Sequence, residues 1–230
     1  MKIKFKKSDL YYLMAVLALI IYKHVLPSDH SGKDVTKVNN HAYVDLGLPS
    51  GTKWATANVG AKKNTDGGYN FAWGEVRDKA LYDMSNYIWR NNYVFSQETC
   101  IKYNKDDNKT ELEARDDAAS VRWGTEWRMP TKEEFEELID NCDWEIQYNK
   151  YNYIFLVGRS KTNGEAITFP ACGFMSGYDT SLYGQYGGYW SSTLFQEHTS
   201  DAYIFSFDSK SISCVNNNRC EGLKIRPVLR

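Results

Sequence analysis

The sequence has no excess of charge of either sign. Its 230 residues include 28 Lys and Arg against 29 Asp and Glu, which gives a formal net charge of −1 with neutral histidines. Proteins that bind nucleic acid or other polyanions attract them with clustered positive charge. The charge balance therefore predicts that nucleic acid is not a partner of this protein.

Histidine, the most common general base and metal ligand, is scarce. Of the four histidines, His24 and His30 lie in the first 40 residues, which leaves His41 and His198 for a folded domain. The sequence also lacks the motifs HExxH, GxSxG, CxxC and GxGxxG and the phosphate-binding pattern GxxxxGK followed by Ser or Thr. These absences predict a protein without catalytic residues, cofactor or bound metal, unless residues distant in the sequence assemble a site.

A calcium-binding loop is also not predicted. Residues 104–115 alternate polar side chains in part like such a loop, but Lys109 stands where glycine is needed and Arg115 where a bidentate glutamate is needed. This segment is expected to be a solvated polar loop that leads into a helix.

Aromatic residues, in contrast, are abundant. The chain has 7 Trp, 17 Tyr and 10 Phe, together 15% of its residues. Such a composition favours strands and ring-bearing loops over a helical bundle. Tyrosine suits a recognition surface because its ring provides contact area and its hydroxyl a hydrogen bond. A tyrosine-rich core explains the composition equally well.

The first 26 residues have the pattern of a signal peptide or an uncleaved signal anchor. Four lysines within residues 1–9 precede the uncharged run 10–22, which is shorter than the roughly 20 residues that span a bilayer comfortably. No small-residue cleavage site follows it, and no cysteine that could carry a lipid precedes Cys100. The lysines predict export of the rest of the chain, either membrane-anchored and facing the periplasm or cell surface, or secreted if the signal is cleaved.

A polar linker and a single domain are predicted to follow. Residues 27–40, PSDHSGKDVTKVNN, have no apolar periodicity, and no second break in composition occurs within residues 41–230. The linker is therefore expected to end near His41, where the domain begins.

Two helices are predicted in the first part of this domain. The pair Thr110 and Glu113 has the spacing of a capping box and precedes an apolar pattern that Gly124 ends. A clearer box, Thr131 with Glu134, directly follows a proline. The residues that repeat at helical spacing after it are Phe135, Leu138, Ile139 and Cys142.

Strands are predicted before and after these helices. Residues 43–45 and 53–59 flank the turn sequence LGLPSG and are expected to form an opening pair. Later runs of β-branched and aromatic residues are 166–170, 188–192, 202–207, 211–215 and 223–229. This order predicts an α+β domain with two helices and a mostly antiparallel sheet.

The odd number of cysteines leaves their pairing open. The five residues are Cys100, Cys142, Cys172, Cys214 and Cys220. Cys142 is expected to be a core residue of the second helix. Cys214 and Cys220 can bridge across a hairpin if their Cα atoms come within about 7 Å, and two unpaired thiols are the alternative.

Six stretches, in this order, resemble one family. They are AYVDLGLPSGTKWATANVGA (42–61), YNFAWGEV (69–76), LEARDDAASVRWGTEWRMPTKEEFEELIDNC (112–142), SKTNGEAITFPACGF (160–174), GGYWSST (187–193) and GLKIRPVL (222–229). Together they are similar to the Fibrobacter succinogenes major paralogous domain, which is abundant in exported proteins of Bacteroides and its relatives. The resemblance covers essentially residues 41–230.

The resemblance implies a C-type-lectin-like fold, a compact α+β unit whose first and last strands pair. It implies a mainly scaffolding role for the residues that match the family's tryptophan, proline and arginine motifs, which are Trp54, Trp73, Trp123, Trp127, Pro130, Trp190 and Arg226. The calcium motifs of true C-type lectins, EPN or QPD followed by WND, are absent. Calcium-dependent sugar binding is therefore not implied. Cys172 and Cys220 depart from the family pattern.

The function predicted from these observations is that of a non-catalytic, extracytoplasmic binding module whose ligand is a glycan or a surface protein. Tyrosines, amides and an arginine on loops of the carboxyl-terminal half can stack on sugar faces and bind hydroxyl groups. The candidate ligand-binding residues are Tyr178, Tyr183, Tyr186, Tyr189, Gln196, Glu197, His198, Asn216, Asn217, Asn218 and Arg219.

Two alternatives remain open. The domain can be a structural component of a cell-surface assembly, with another protein as its partner. It can also be an oxidase similar to the formylglycine-generating enzymes, which have a related fold and bind copper with two cysteines near the carboxyl end. Cys214 and Cys220 are superficially similar to that pair, and thiolates suit Cu(I).

Overall fold

The computed structural model of the chain describes residues 36–90 and 100–229. The predicted signal or anchor segment 1–26 and most of the predicted linker 27–40 lie outside the described residues. Within the described ranges, no helix has both the length and the apolar character needed to cross a bilayer.

The first described element is a short hairpin, β1 (Lys37–Val38) and β2 (His41–Asp45). Asn39 and Asn40, which form the turn, both have positive φ, as the tight turns that match strand twist require. Part of the range predicted as linker is thus strand, since Lys37 and Val38 pair with Ala42 and His41.

The predicted opening pair of strands is present. β2 pairs antiparallel with β3 (Lys53–Ala55), although β3 is shorter than the predicted 53–59. The last strand, β13 (Val228–Leu229), lies between β3 and β4 (Trp127–Arg128) in a five-stranded sheet. The two ends of the domain are therefore joined in one sheet, with Val228 opposite Trp54.

Helix α1 (Ala118–Trp123) ends at Gly124 as predicted, but its cap is different. The Asp117 carboxylate accepts hydrogen bonds from the Ala119 and Ser120 amides at 2.8 and 3.1 Å. Residues 114–116 form a separate 3-10 turn, and Glu113 makes no side-chain cap there. The predicted box at Thr110 and Glu113 is wrong because Asp117 lies closer to the first free amides of the helix.

Helix α2 (Lys132–Asn141) begins with the predicted capping box. The Glu134 amide donates to Thr131 Oγ1 at 3.2 Å, and the Thr131 amide donates to Glu134 Oε2 at 2.9 Å. Glu134 also accepts from Arg128, whose Nη1 is 2.6 Å from Glu134 Oε2. Burial acts to raise the pKa of Glu134, but hydrogen bonds from Arg128 and Thr131 outweigh it and hold that pKa below its usual value.

This carboxylate is expected to contribute stability that is lost in acid. A lowered folded-state pKa means that the contribution is complete above the unfolded pKa of about 4.3 and falls as pH drops through the folded pKa. Chemical denaturation between about pH 6 and about pH 3 should show wild type losing its advantage over Glu134→Gln. A difference that stays constant over this range would contradict the assignment.

The rest of the domain is built from antiparallel strands. β5 (Cys142–Tyr148), β6 (Ile154–Ser160) and β7 (Ala166–Pro170) form one sheet. β8 (Phe174–Ser176) and β9 (Asp179–Ser181) form a hairpin. β10 (Gly187–Leu194), β11 (Asp201–Phe207) and β12 (Ile212–Asn218) form a third sheet. The α+β class, with two helices in the described ranges and antiparallel sheets, is confirmed.

Aromatic side chains fill much of the interior. Phe135 of α2 stacks on Phe205 of β11 with ring centroids 5.0 Å apart, and Trp54 of β3 packs against Phe135 at 5.1 Å. These contacts place α2 over both the terminal sheet and the β10–β12 sheet. Much of the aromatic content therefore belongs to the core.

All five cysteines are free thiols. Cys142 is buried with Phe135 and Leu138, as predicted, but it is the first residue of β5 and follows α2, which ends at Asn141. Cys214 packs at the border of this same cluster, whereas Cys220 belongs to a separate cluster with Tyr82 and Tyr87. The proposed bridge between Cys214 and Cys220 is therefore not formed.

Candidate ligand-binding surface

Three exposed tyrosines contact one another on the surface of the carboxyl-terminal half. Tyr153 lies between Tyr151 and Tyr183, with ring centroids 6.0 Å from Tyr151 and 5.4 Å from Tyr183. The exposed fractions of the three residues are 63% for Tyr151, 38% for Tyr153 and 54% for Tyr183. We call this group the tyrosine platform.

The turn between β5 and β6 positions two members of the platform. Asn149 Oδ1 accepts hydrogen bonds from the Tyr151 amide at 2.8 Å and the Tyr153 amide at 3.0 Å. Asn152, between them, has a φ of 62°, a conformation that asparagine adopts more readily than most residues. The sequence YNKYNY thus forms a closed turn that directs two rings into solvent.

A second turn, residues 182–185, brings Tyr183 to the same place. The Gly184 amide donates to the Ala171 carbonyl at 2.9 Å, and the Ile154 amide donates to the Gly184 carbonyl at 2.8 Å. The Tyr153 ring packs directly on Gly184, where an added Cβ would lie 2.3 Å from Tyr153 Cδ1. The platform is therefore anchored by backbone hydrogen bonds to the β5–β7 sheet.

The three rings of the platform are not coplanar, and two of them form a corner. The rings of Tyr153 and Tyr183 are nearly perpendicular, at 89°, and those of Tyr151 and Tyr153 are tilted by 41°. Lys150 Nζ lies 4.9 Å from the centre of the Tyr151 ring. Partial burial, with Cys172 and Tyr153 nearby, raises the pKa of Tyr183, so its hydroxyl stays protonated and can donate a hydrogen bond.

Tyr178 and Tyr186, two other predicted site residues, have different environments. Tyr178 is 73% exposed in the turn between β8 and β9. Tyr186 is partly buried and packs edge-on against Phe174, with centroids 6.1 Å apart. Tyr178 is therefore accessible to solvent but has no ring contact with the platform in the described residues, whereas Tyr186 mainly supports the hairpin.

The predicted polar residues come together at one end of the β10–β12 sheet. Gln196, Glu197 and His198 are exposed in the turn before β11. The start of β11 pairs with the end of β12, which places Asn218 opposite Asp201. The three asparagines are already engaged within the domain: Asn216 donates to Asp201, Asn217 donates to Glu221, and Asn218 accepts from the Cys220 amide.

Tyr189 and Arg219 were predicted to contact ligand, but both are fully buried. The Tyr189 hydroxyl donates to the Pro170 carbonyl at 2.6 Å beneath the β5–β7 sheet. Arg219 follows β12 and turns inward, where its guanidinium faces Trp73, Tyr87 and Tyr103. These two residues belong to the scaffold because their polar atoms are satisfied inside the domain.

The sequence prediction also missed two of the three platform residues. Tyr151 and Tyr153 lie between β5 and β6, two strands that were not predicted. A signal was nevertheless present, since YNKYNY alternates tyrosine with asparagine and lysine between apolar runs, a pattern typical of a hairpin loop.

Comparison with known proteins gives one match. Residues 144–228 match the model of a domain of unknown function, DUF8237. This range contains the tyrosine platform and both polar segments, so these belong to one recurrent sequence unit. No curated protein and no solved structure matches the chain.

Proposed function

We propose that this chain is a non-catalytic binding module that holds a glycan on the tyrosine platform. The observation that carries the proposal is the contact between three solvent-exposed rings on two turns that backbone hydrogen bonds hold together. Contiguous exposed aromatic surface commonly marks an interaction site. A monomeric domain gains nothing in its own core from rings directed into solvent.

The platform has the chemistry that a sugar requires. The C–H faces of a pyranose pack on aromatic rings, and its hydroxyls exchange hydrogen bonds with phenol hydroxyls and amides. The corner between Tyr153 and Tyr183 offers one sugar unit two ring faces, and Tyr151 extends the surface to the next unit. Phenol hydroxyls bind through hydrogen bonds and not through ion pairs, which favours a neutral oligosaccharide of at least two units.

The proposal includes the family and location indicated by the sequence. A C-type-lectin-like domain similar to the Fibrobacter succinogenes major paralogous domain is supported by the pairing of β13 with β3 and by the order of the six motifs. The lysine-rich start followed by an apolar run supports export. A glycan-binding module would then meet its ligand outside the cytoplasm.

Binding should be lost when the platform is removed. The described residues form one compact unit, but the full chain in mild detergent is the protein to use, applied to an array of neutral oligosaccharides. Replacing Tyr151 and Tyr183 together with alanine is expected to weaken binding at least tenfold, at about 1 kcal/mol or more for each lost ring contact. Both rings are exposed, so the variant should keep the wild-type circular dichroism and unfolding midpoint.

Tyr178→Ala is the matched control, because this tyrosine is at least as exposed as those of the platform and has no ring contact with them in the described residues. It should bind like wild type. Equal affinity of wild type and the Tyr151, Tyr183 double variant for every bound glycan would show that the platform is not the site.

A second candidate is a component of a cell-surface assembly. β12 is an edge strand of its sheet and exposes Val215, and edge strands can pair with another chain. Binding no glycan while co-purifying with a stable envelope protein would favour this function.

The oxidase alternative receives less support. Cys214 and Cys220 lie in different clusters, and burial raises the pKa of each thiol to about 12. Copper binding would need them close together as thiolates.

A further inference from the structure

Cys172 and Lys224 are buried side by side beneath the loop that contains Gly67 and Gly68. Cys172 is 3% exposed and Lys224 is 5% exposed. A Cβ added to Gly67 would lie 3.0 Å from Cys172 Sγ and 3.3 Å from Lys224 Nζ. The sulfur and the nitrogen therefore face the same small space, and Gly67 closes it with bare backbone.

Lys224 is unusual among the described lysines because it is buried without a carboxylate partner. Its Nζ donates to the Gly68 carbonyl at 3.2 Å, and no ion pair of Lys224 is present in the described residues. A buried ammonium without a counter-charge is costly. Burial accordingly lowers the pKa of Lys224, which increases the fraction present as the neutral, nucleophilic amine.

The lysines close to the other cysteines do not combine burial with the lack of another partner. Lys161 is exposed near Cys142 and donates to the Asp140 carbonyl. Lys132, near Cys214, pairs with Glu136, and Lys79, near Cys220, pairs with Glu75. Of these four lysines, only Lys224 combines burial, proximity to a thiol and the lack of an acidic partner.

We propose that Cys172 and Lys224 form a covalent sulfur–nitrogen crosslink when the protein meets hydrogen peroxide. Peroxide oxidises the Cys172 thiol by two electrons to a sulfenic acid, and its O–O bond breaks with release of water. The Lys224 amine then attacks this sulfur. The S–N bond forms as the S–O bond breaks, and the hydroxyl leaves with an amine proton as a second water.

The burial of Cys172 explains why its oxidation is slow and why the sulfenic acid reacts with Lys224. Burial raises the pKa of the Cys172 thiol, and the nearby Asp66 adds to this rise. The positive charges of Lys224 and Arg226 oppose it but do not outweigh it. The thiolate is therefore scarce, and the first step should be slow. Once formed, the sulfenic acid is shielded from a second peroxide molecule and from other proteins, which leaves the neighbouring amine as its nucleophile.

The test is mass spectrometry of the full chain after prolonged exposure to hydrogen peroxide. We expect a peptide that joins residues 172 and 224 and has lost two hydrogen atoms, and we expect dithiothreitol to restore both side chains. Cys172→Ser and Lys224→Arg should abolish this peptide, and Lys224→Arg should accumulate sulfenic acid at residue 172 instead. Oxidation of Cys172 without a joined peptide in wild type would overturn the proposal.

A second measurement removes the dependence on variants, which can fail to fold when a buried side chain changes. The oxidised wild-type protein is denatured and treated with acetic anhydride, which acetylates free lysine amines. Lys224 should escape acetylation, and should become acetylated when dithiothreitol is added first. Full acetylation of Lys224 in the oxidised, unreduced protein would equally refute the crosslink.

Discussion

Replacing Arg219 with methionine should destabilise the domain by about 4 kcal/mol, a loss at the upper end of the usual range for one substitution. Arg219 is fully buried and has no acidic partner in the described residues. Its Nε donates to the Tyr87 hydroxyl at 2.8 Å, and Nη1 donates to the Thr199 and Tyr103 carbonyls at 2.8 and 3.1 Å. Methionine would leave these oxygens without their donors.

The rings around the guanidinium increase the expected loss. Arg219 Cζ lies 4.6 Å from the centre of the Trp73 ring and 5.4 Å from that of Tyr87, and desolvated cation–π contacts contribute about 2 kcal/mol. The arginine thereby joins the end of β12 to segments more than a hundred residues earlier. Without Arg219, the regions around Tyr87 and Tyr103 should open at lower free energy than the β10–β12 sheet does.

Urea denaturation gives the free energy of unfolding, and hydrogen exchange at the Tyr87 and Tyr103 amides gives the local effect. Arg159→Met is the control, because Arg159 is exposed and donates to one carbonyl, that of Gly164. A loss below about 0.5 kcal/mol is expected there. Similar losses for Arg219→Met and Arg159→Met would show that the buried network contributes little.

Arg219 also illustrates which features of the fold could be predicted from the sequence alone. Local signals were sufficient for helix α2, since its capping box and apolar spacing are contained within twelve residues, 131–142. An arginine after three asparagines has the local pattern of a polar loop, and only long-range packing of Trp73, Tyr87 and Tyr103 around it explains its burial. The same holds for Tyr189, which lies in the predicted strand 188–192 but whose burial follows only from the packing of β10 against Pro170 of β7.

The binding surface was predictable in kind but only partly in position. An excess of tyrosine on loops was evident from composition, and Tyr183 was among the predicted residues. Its contact with Tyr153 depends on two turns about thirty residues apart in the chain, which hydrogen bonds to Ala171 and Ile154 bring together. Sequence periodicity carries no information about such pairing between turns.

Gly173→Ala should combine a large loss of stability with a loss of glycan binding. Gly173 has a φ of 62°, where an alanine is strained by about 1–2 kcal/mol. A Cβ would lie 2.0 Å from the Ser181 carbonyl oxygen and 2.9 Å from the Tyr183 amide nitrogen. Backbone atoms cannot rotate away as a side chain can, so about 1–3 kcal/mol of overpacking is added.

In Gly173→Ala the backbone shift should reach the platform because the obstructed segment contains Tyr183. Moving residues 181–183 away from Gly173 shifts the Tyr183 ring relative to Tyr153, and the corner between the two rings opens.

Gly177→Ala is the control that introduces backbone strain without a steric clash, since Gly177 has a φ of 63° but no atom within 4 Å of an added Cβ. It should cost about 1–2 kcal/mol and leave the affinity of the folded protein unchanged. Gly173→Ala should be less stable by a further 1–3 kcal/mol or so and should bind glycan more weakly even at temperatures where it is fully folded. Equal free energies of unfolding for the two variants would mean that residues 181–183 move away from the added methyl group at no cost. Tyr183 would then not be held rigidly, which would contradict the proposed platform.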